Sequence, residues 1–132
     1  MNSRRNSVDI ILSNNNPDPI YLQIVEQIRA QIVQGILPEG TLLPSIRSLA
    51  KDLRISVITT KRAYDELERE GYIQTVAAKG SYVAARSHEQ LKEEYLRKIE
   101  EHMRSIKLLS DFLGLSDEEL GMMYQLLTKG EA

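Results

Sequence analysis

Ile20, Ile24, Ile28 and Ile32 recur every four residues on a polar background, and Tyr21 and Val25 widen the stripe. That spacing predicts an amphipathic helix. Asp18 suits its N-cap, Pro19 its first position and Gly35 its end. Leu37-Pro38-Glu39-Gly40-Thr41 reads as a turn. After Pro44 a second helical pattern begins: Ser45 caps it, and Ile46, Leu49, Ala50 and Leu53 form its buried side. Arg54-Ile55 makes a tight turn. Ser56 caps a third helix that runs to about Glu70, with Gly71 as its stop. The period then changes. Residues 72–76 and 81–84 alternate or run apolar around Ala78-Lys79-Gly80, which predicts a two-stranded hairpin.

Helical spacing returns at Ser87. Leu91, Tyr95, Ile99, Met103 and Ile106 are spaced by four, four, four and three, and Leu109, Phe112 and Leu113 extend the stripe to a break at Gly114. Ser116 caps a last helix with Asp117-Glu118-Glu119 in its first turn, where acids favour the helix dipole. Its apolar face is Leu120, Met123, Tyr124 and Leu127. Ahead of the first helix lies a polar, Asn-rich arm. Its apolar insert, Val8-Asp9-Ile10-Ile11-Leu12, suits a short strand or packing on a partner, and Asn14-Asn15-Asn16-Pro17 breaks it. The expected fold is mostly α with a small β-hairpin wing. An arm (1–17) precedes a winged helix-turn-helix (18–86), and a two-helix dimerisation tail (87–132) follows.

Composition narrows the chemistry. The 132 residues contain no Cys, which removes disulfides, thiolate metal sites and Cys nucleophiles and fits a reducing cytoplasm. No apolar run is long enough to cross a bilayer, so no membrane partner is expected. The net charge of −2 looks wrong for a nucleic-acid binder until it is mapped. Residues 1–40 carry 3 basic and 4 acidic side chains, residues 41–86 carry 8 and 5, and residues 87–132 carry 6 and 10. The only basic segment is the one with the helix-turn-helix. No nucleophile–base pair or metal constellation is visible, so no enzyme, cofactor or metal is expected. His88 and His102 are too far apart along a helix to share one ion.

On the third helix, Thr60, Ala63, Tyr64 and Leu67 share one side and form its core face. Val57, Ile58, Lys61, Arg62 and Asp65 point the other way. A helix entering a major groove needs cations near phosphates and short side chains at its tip for base edges. Lys61 and Arg62 suit the first task, and Ser56 and Thr59 offer hydroxyls. Val57 and Ile58 either contact thymine methyl groups, which only the major groove displays, or pack on the turn or wing. Arg47 on the preceding helix can reach a phosphate or base edge. Lys79-Gly80 puts a cation at the hairpin tip, within reach of a minor groove.

These residues resemble the winged-helix domain of the GntR family of bacterial transcription regulators. The motifs occur in order: Leu43-Pro44-Ser45-x-Arg47-x-Leu49-Ala50, Ile55-Ser56-x-x-Thr59, Ala63-Tyr64-x-x-Leu67-x-x-x-Gly71-x-Ile73 and Lys79-Gly80-x-Tyr82-Val83. The short two-helix tail resembles that of the YtrA subfamily. The resemblance implies a homodimer on a palindromic double-stranded operator and, for YtrA-like members, control of transporter or cell-envelope stress operons. It aligns Arg47, Ser56, Thr59, Lys61, Lys79 and Gly80 with DNA-contacting positions. Two residues depart from the pattern. Val57 stands where many members have Arg, which removes a guanine reader, and Ala78 stands where the wing usually has Gly. The second change removes a residue that tolerates positive φ, so the tip is expected to differ from the family's.

An apolar stripe on a long helix outside a compact domain has to be covered. Folding back on the winged helix could cover it; a second copy covers more and supplies the two-fold symmetry of a palindrome. The expected dimer seam is Leu91, Tyr95, Ile99, Met103, Ile106, Leu109, Phe112, Leu113, Met123 and Leu127. Two helices hardly enclose a pocket, so a small effector would sit between subunits or between tail and winged helix. Tyr95, Met103, Phe112 and Tyr124 are candidate liners, and ordinary core is their plainer reading. The expected function is a dimeric, sequence-specific repressor. The competing reading is a winged helix that binds protein through Val57 and Ile58.

Overall fold

The computed structural model describes residues 8–85 and 88–130. Five helices and two strands occur in the order α1 (Ile20–Val33), α2 (Ile46–Leu53), α3 (Val57–Arg69), β1 (Ile73–Val76), β2 (Gly80–Val83), α4 (His88–Leu113) and α5 (Asp117–Lys129). They group into two compact units, residues 1–92 and 93–132.

The first unit is built around one core. Ile24, Ile28 and Ile32 of α1 meet Leu49 of α2, Ala63, Tyr64 and Leu67 of α3, and Ile73 and Val83 of the hairpin. Ser45 and Ser56 cap α2 and α3 as expected, each accepting from the backbone N–H three residues on at 3.0 Å. Between them Arg54 adopts the left-handed conformation (φ 58), which turns the chain sharply from α2 to α3. The Tyr64 hydroxyl donates to the Pro44 carbonyl at 2.7 Å and fixes α3 against the start of α2. At the far end of α3, Arg29 of α1 bridges to Glu70 at 2.7 Å. Arg69 hydrogen-bonds Glu66 there and lowers the Glu66 carboxyl pKa to about 2.

The wing is a hairpin with Ile73 opposite Val83 and Val76 opposite Gly80. Residues 40–43, of which Gly40 and Thr41 read from sequence as the end of a turn, flank the other edge of β2. Gly40 N–H donates to Val83 O, Leu43 N–H to Ser81 O and Val83 N–H to Thr41 O, each at 2.9 Å. The Lys79 N–H donates to the Val76 carbonyl at 3.0 Å, and Ala78 has φ 65, the pattern of a type II turn. The Gly-to-Ala departure at this position therefore does not abolish the positive-φ tip. Strand register imposes the turn, and Ala78 bears the strain.

Three sequence expectations need correction. Helix α1 starts one residue later than its caps suggested: Pro19, not Asp18, is the N-cap, and it makes no side-chain cap. The arm is not a strand paired to a sheet. Instead it lies along α1, held by three glutamines spaced by four. Gln23 accepts from Ser13 N–H and donates to Ser13 O, Gln27 does the same for Ile11, and Gln31 donates to Asp9 O. Four helical residues rise about 6 Å and two extended residues about 6.6 Å, so the two ladders stay in step. Val8, Ile10 and Leu12 alternate toward the core. Finally, Leu91 is only 1% exposed and belongs to this core, so it is not an open seam residue.

In the second unit, Gly114 takes a positive φ of 72 after α4, and Ser116 and Glu119 form a reciprocal capping box at the start of α5. Almost nothing in it is buried. Ile99, Met103, Ile106, Leu109, Met123 and Leu127 are all exposed, and Phe112 and Leu113 are each 77% exposed. Ile99, His102, Met103, Ile106 and Lys107 face Leu120, Gly121 and Tyr124 across an open apolar groove of about 680 Å³. Of the four proposed effector liners, this groove unites Met103 and Tyr124, and Tyr95 and Phe112 do not line it.

Candidate nucleic-acid interface

The recognition surface is anchored by the elements behind it. Thr60, Ala63, Tyr64 and Leu67 are buried, which turns Val57, Ile58, Lys61, Arg62 and Asp65 outward. Ile58 is 81% exposed and Val57 45%, so neither is absorbed by the turn or the wing. The base of the wing is tied to the same helix. The Glu68 carboxylate accepts from the Thr75 N–H and hydroxyl, each at 3.2 Å, and Thr75 Oγ1 lies 3.0 Å from Ser81 Oγ.

Local bonding sorts the predicted contacts. Ser56 Oγ accepts the Thr59 N–H as a cap and donates its own hydrogen to Thr59 Oγ1 at 2.8 Å. Its donor is therefore spent, and Thr59 is the residue with a hydroxyl hydrogen left to offer. Lys61 bridges to Asp65 at 2.8 Å with both side chains well exposed. Such a pair contributes only about 0.3–0.5 kcal/mol, so phosphate can take the lysine over. Arg62 rests on the ring of Tyr21, 3.8 Å from its centroid. Arg47 and Lys79 are exposed and have no ion-pair partner among the described residues. Gly80, at φ 110, occupies a conformation that a side chain would strain.

Sequence reasoning missed Tyr21 as Arg62's partner, because the pair is far apart in the chain and Tyr21 read as part of the helix stripe. It also missed the three glutamines, whose spacing of four was the available signal. Among the described residues no group of acidic or imidazole side chains could hold a metal ion, and no helix is long and apolar enough to cross a membrane.

A helix-turn-helix followed by a hairpin, with the second helix held outward by buried neighbours, defines a winged-helix DNA-binding domain. Residues 20–83 match the model of the "Bacterial regulatory proteins, gntR family". The chain is 34% identical to the HTH-type transcriptional repressor YtrA of Bacillus subtilis, over 77% of this chain and 78% of that one. It is 33% identical to the HTH-type transcriptional regulator YhcF of the same organism, over 85% and 92%. A solved GntR family transcriptional regulator from Listeria monocytogenes superimposes with a TM-score of 0.65 at 33% identity, covering 83% of this chain and 96% of that one. The chain belongs to the GntR family of DNA-binding transcriptional regulators.

Proposed function

We propose that two copies of this chain bind a two-fold-symmetric operator and repress the genes beside it. Each α3 enters a major groove at its N-terminal end, where Val57 and Ile58 meet thymine methyl groups and Thr59 donates to a phosphate. Lys61, Arg62 and Arg47 neutralise backbone phosphates, and Lys79 at the Gly80 turn reaches the adjacent minor groove. The carrying observation is the exposure of Ile58 at the tip of the helix that presents Lys61 and Arg62: an uncovered aliphatic there gains most from a methyl-bearing base edge. The tail joins the copies. Its uncovered apolar residues on α4 and α5 support a self-complementary seam, from which the buried Leu91 drops out. The repressor named among the relatives supports repression; a cytoplasmic setting and a transporter or cell-envelope stress operon as the target are what the YtrA-subfamily resemblance implies. Any small-molecule effector would act at the tail.

Gel shift with the DNA upstream of the chain's own gene, at two salt concentrations, tests this reading. Specific binding that weakens steeply with salt is expected. Binding indifferent to both salt and sequence would sink it. Val57→Arg should move the selected half-site from thymine toward guanine, and an unchanged site would reject the methyl contact. Lys61→Glu with Lys79→Glu should abolish the shift. Retained function in that variant would favour the protein-interaction reading instead.

A further inference from the structure

We propose that Tyr21 is a positioning residue for DNA binding: its ring holds the Arg62 guanidinium at the edge of α3, ready for phosphate. The inference rests on the reading of Arg62 as a DNA contact. The guanidinium carbon lies 3.8 Å from the ring centroid, well inside the roughly 6 Å reach of a cation–π contact. Tyr21 is the second residue of α1 and half-buried, whereas Arg62 is exposed. One partner is therefore fixed by the core, and the other is free to meet a ligand.

The remaining cations of α3 behave differently. Lys61 is bridged to Asp65, and Arg69 is bonded to Glu66. No acid pairs with Arg62 among the described residues. An aromatic ring can hold a guanidinium without cancelling its charge. Stacking also occupies the face of the group and leaves its in-plane N–H donors for a phosphate's oxygens. A long side chain loses rotamer freedom when it docks, and one already stacked has less to lose. Tyr21 thus raises affinity without touching DNA itself.

The test uses the full chain and a duplex recovered from a random-sequence pool by the unaltered protein. Tyr21→Phe should bind as the unaltered chain does, and Tyr21→Leu about two- to fivefold more weakly. In an Arg62→Ala background, Tyr21→Leu should cost nothing further. If Arg62→Ala alone leaves affinity unchanged, the reading of Arg62 as a contact fails and this inference falls with it. If Arg62→Ala weakens binding but Tyr21→Leu does not, only the positioning role is overturned. The same holds if Tyr21→Leu costs an equal factor in both backgrounds. Should the leucine variant fold poorly, phenylalanines of increasing fluorination at position 21 keep the ring's shape while draining its face of negative charge. Affinity should then fall in step with fluorination, and a flat series overturns the proposal.

Discussion

The winged-helix unit and the tail treat their apolar residues in opposite ways. In the first unit Ile24, Ile28, Leu43 and Leu67 are wholly buried, and the buried polar Gln23 and Thr60 find hydrogen-bond partners. In the second unit no residue of α5 is buried, and large side chains on α4 stand in solvent. Soluble monomers rarely leave apolar patches of this extent open. Both units have side-chain-capped helices, so the contrast does not lie in how their helices begin. What differs is tertiary burial: the first unit closes over its apolar residues, and the second leaves its own open.

The largest test of that contrast is to charge the tail. Ile106→Asp with Leu109→Asp should yield monomers in analytical ultracentrifugation. Operator affinity should fall about 100- to 10,000-fold as the link between half-site binders is lost. A variant that stays dimeric would place the seam elsewhere. Next comes Leu67→Ala in the closed core, which should cost about 2–5 kcal/mol in thermal or denaturant unfolding, independently of protein concentration. By contrast, the effect of Phe112→Ala on melting should vanish on dilution. A smaller effect is expected for Gln27→Ala. Losing its two bonds to Ile11 should cost about 1 kcal/mol and speed hydrogen exchange at the Ile11 amide, while the core amides keep their protection. Smallest is Ala78→Gly. Relief of the left-handed strain should raise stability by less than about 1 kcal/mol, partly offset by the extra freedom of glycine when unfolded. A loss of stability there would show that Ala78 makes a contact worth more than its strain.

The elements were largely legible in the chain because their signals are local. Ser45, Ser56 and Ser116 mark helix starts through bonds spanning three residues, and the Ile20–Ile32 stripe needs only the helical period. What was not legible depends on long-range geometry. Leu91 fits the tail's periodicity as well as any of its neighbours, yet it is the first unit's core that takes it up. Gln23, Gln27 and Gln31 share a spacing of four, but that local signal does not say that an arm will lie across them. Ala78 takes a positive φ against its own preference, within a hairpin closed by the pairing of β1 with β2. At the interface, sequence identified the outward residues of α3. It could not show that Ser56 spends its hydroxyl on Thr59 or that Arg62 rests on Tyr21.

The glutamine ladder also works as a ruler that fixes where Asp9, Ile11 and Ser13 lie along α1. Asp9 is pinned at Gln31, ten residues and about 15 Å along α1 from Tyr21. A fluorophore or spin label attached at the exposed Asp9 would thus sit at the opposite end of that helix from the Arg62 stack. It would move with the rigid body while keeping clear of the groove. Distances measured between two such labels, one on each copy, would report how far apart the reading heads stand with and without DNA.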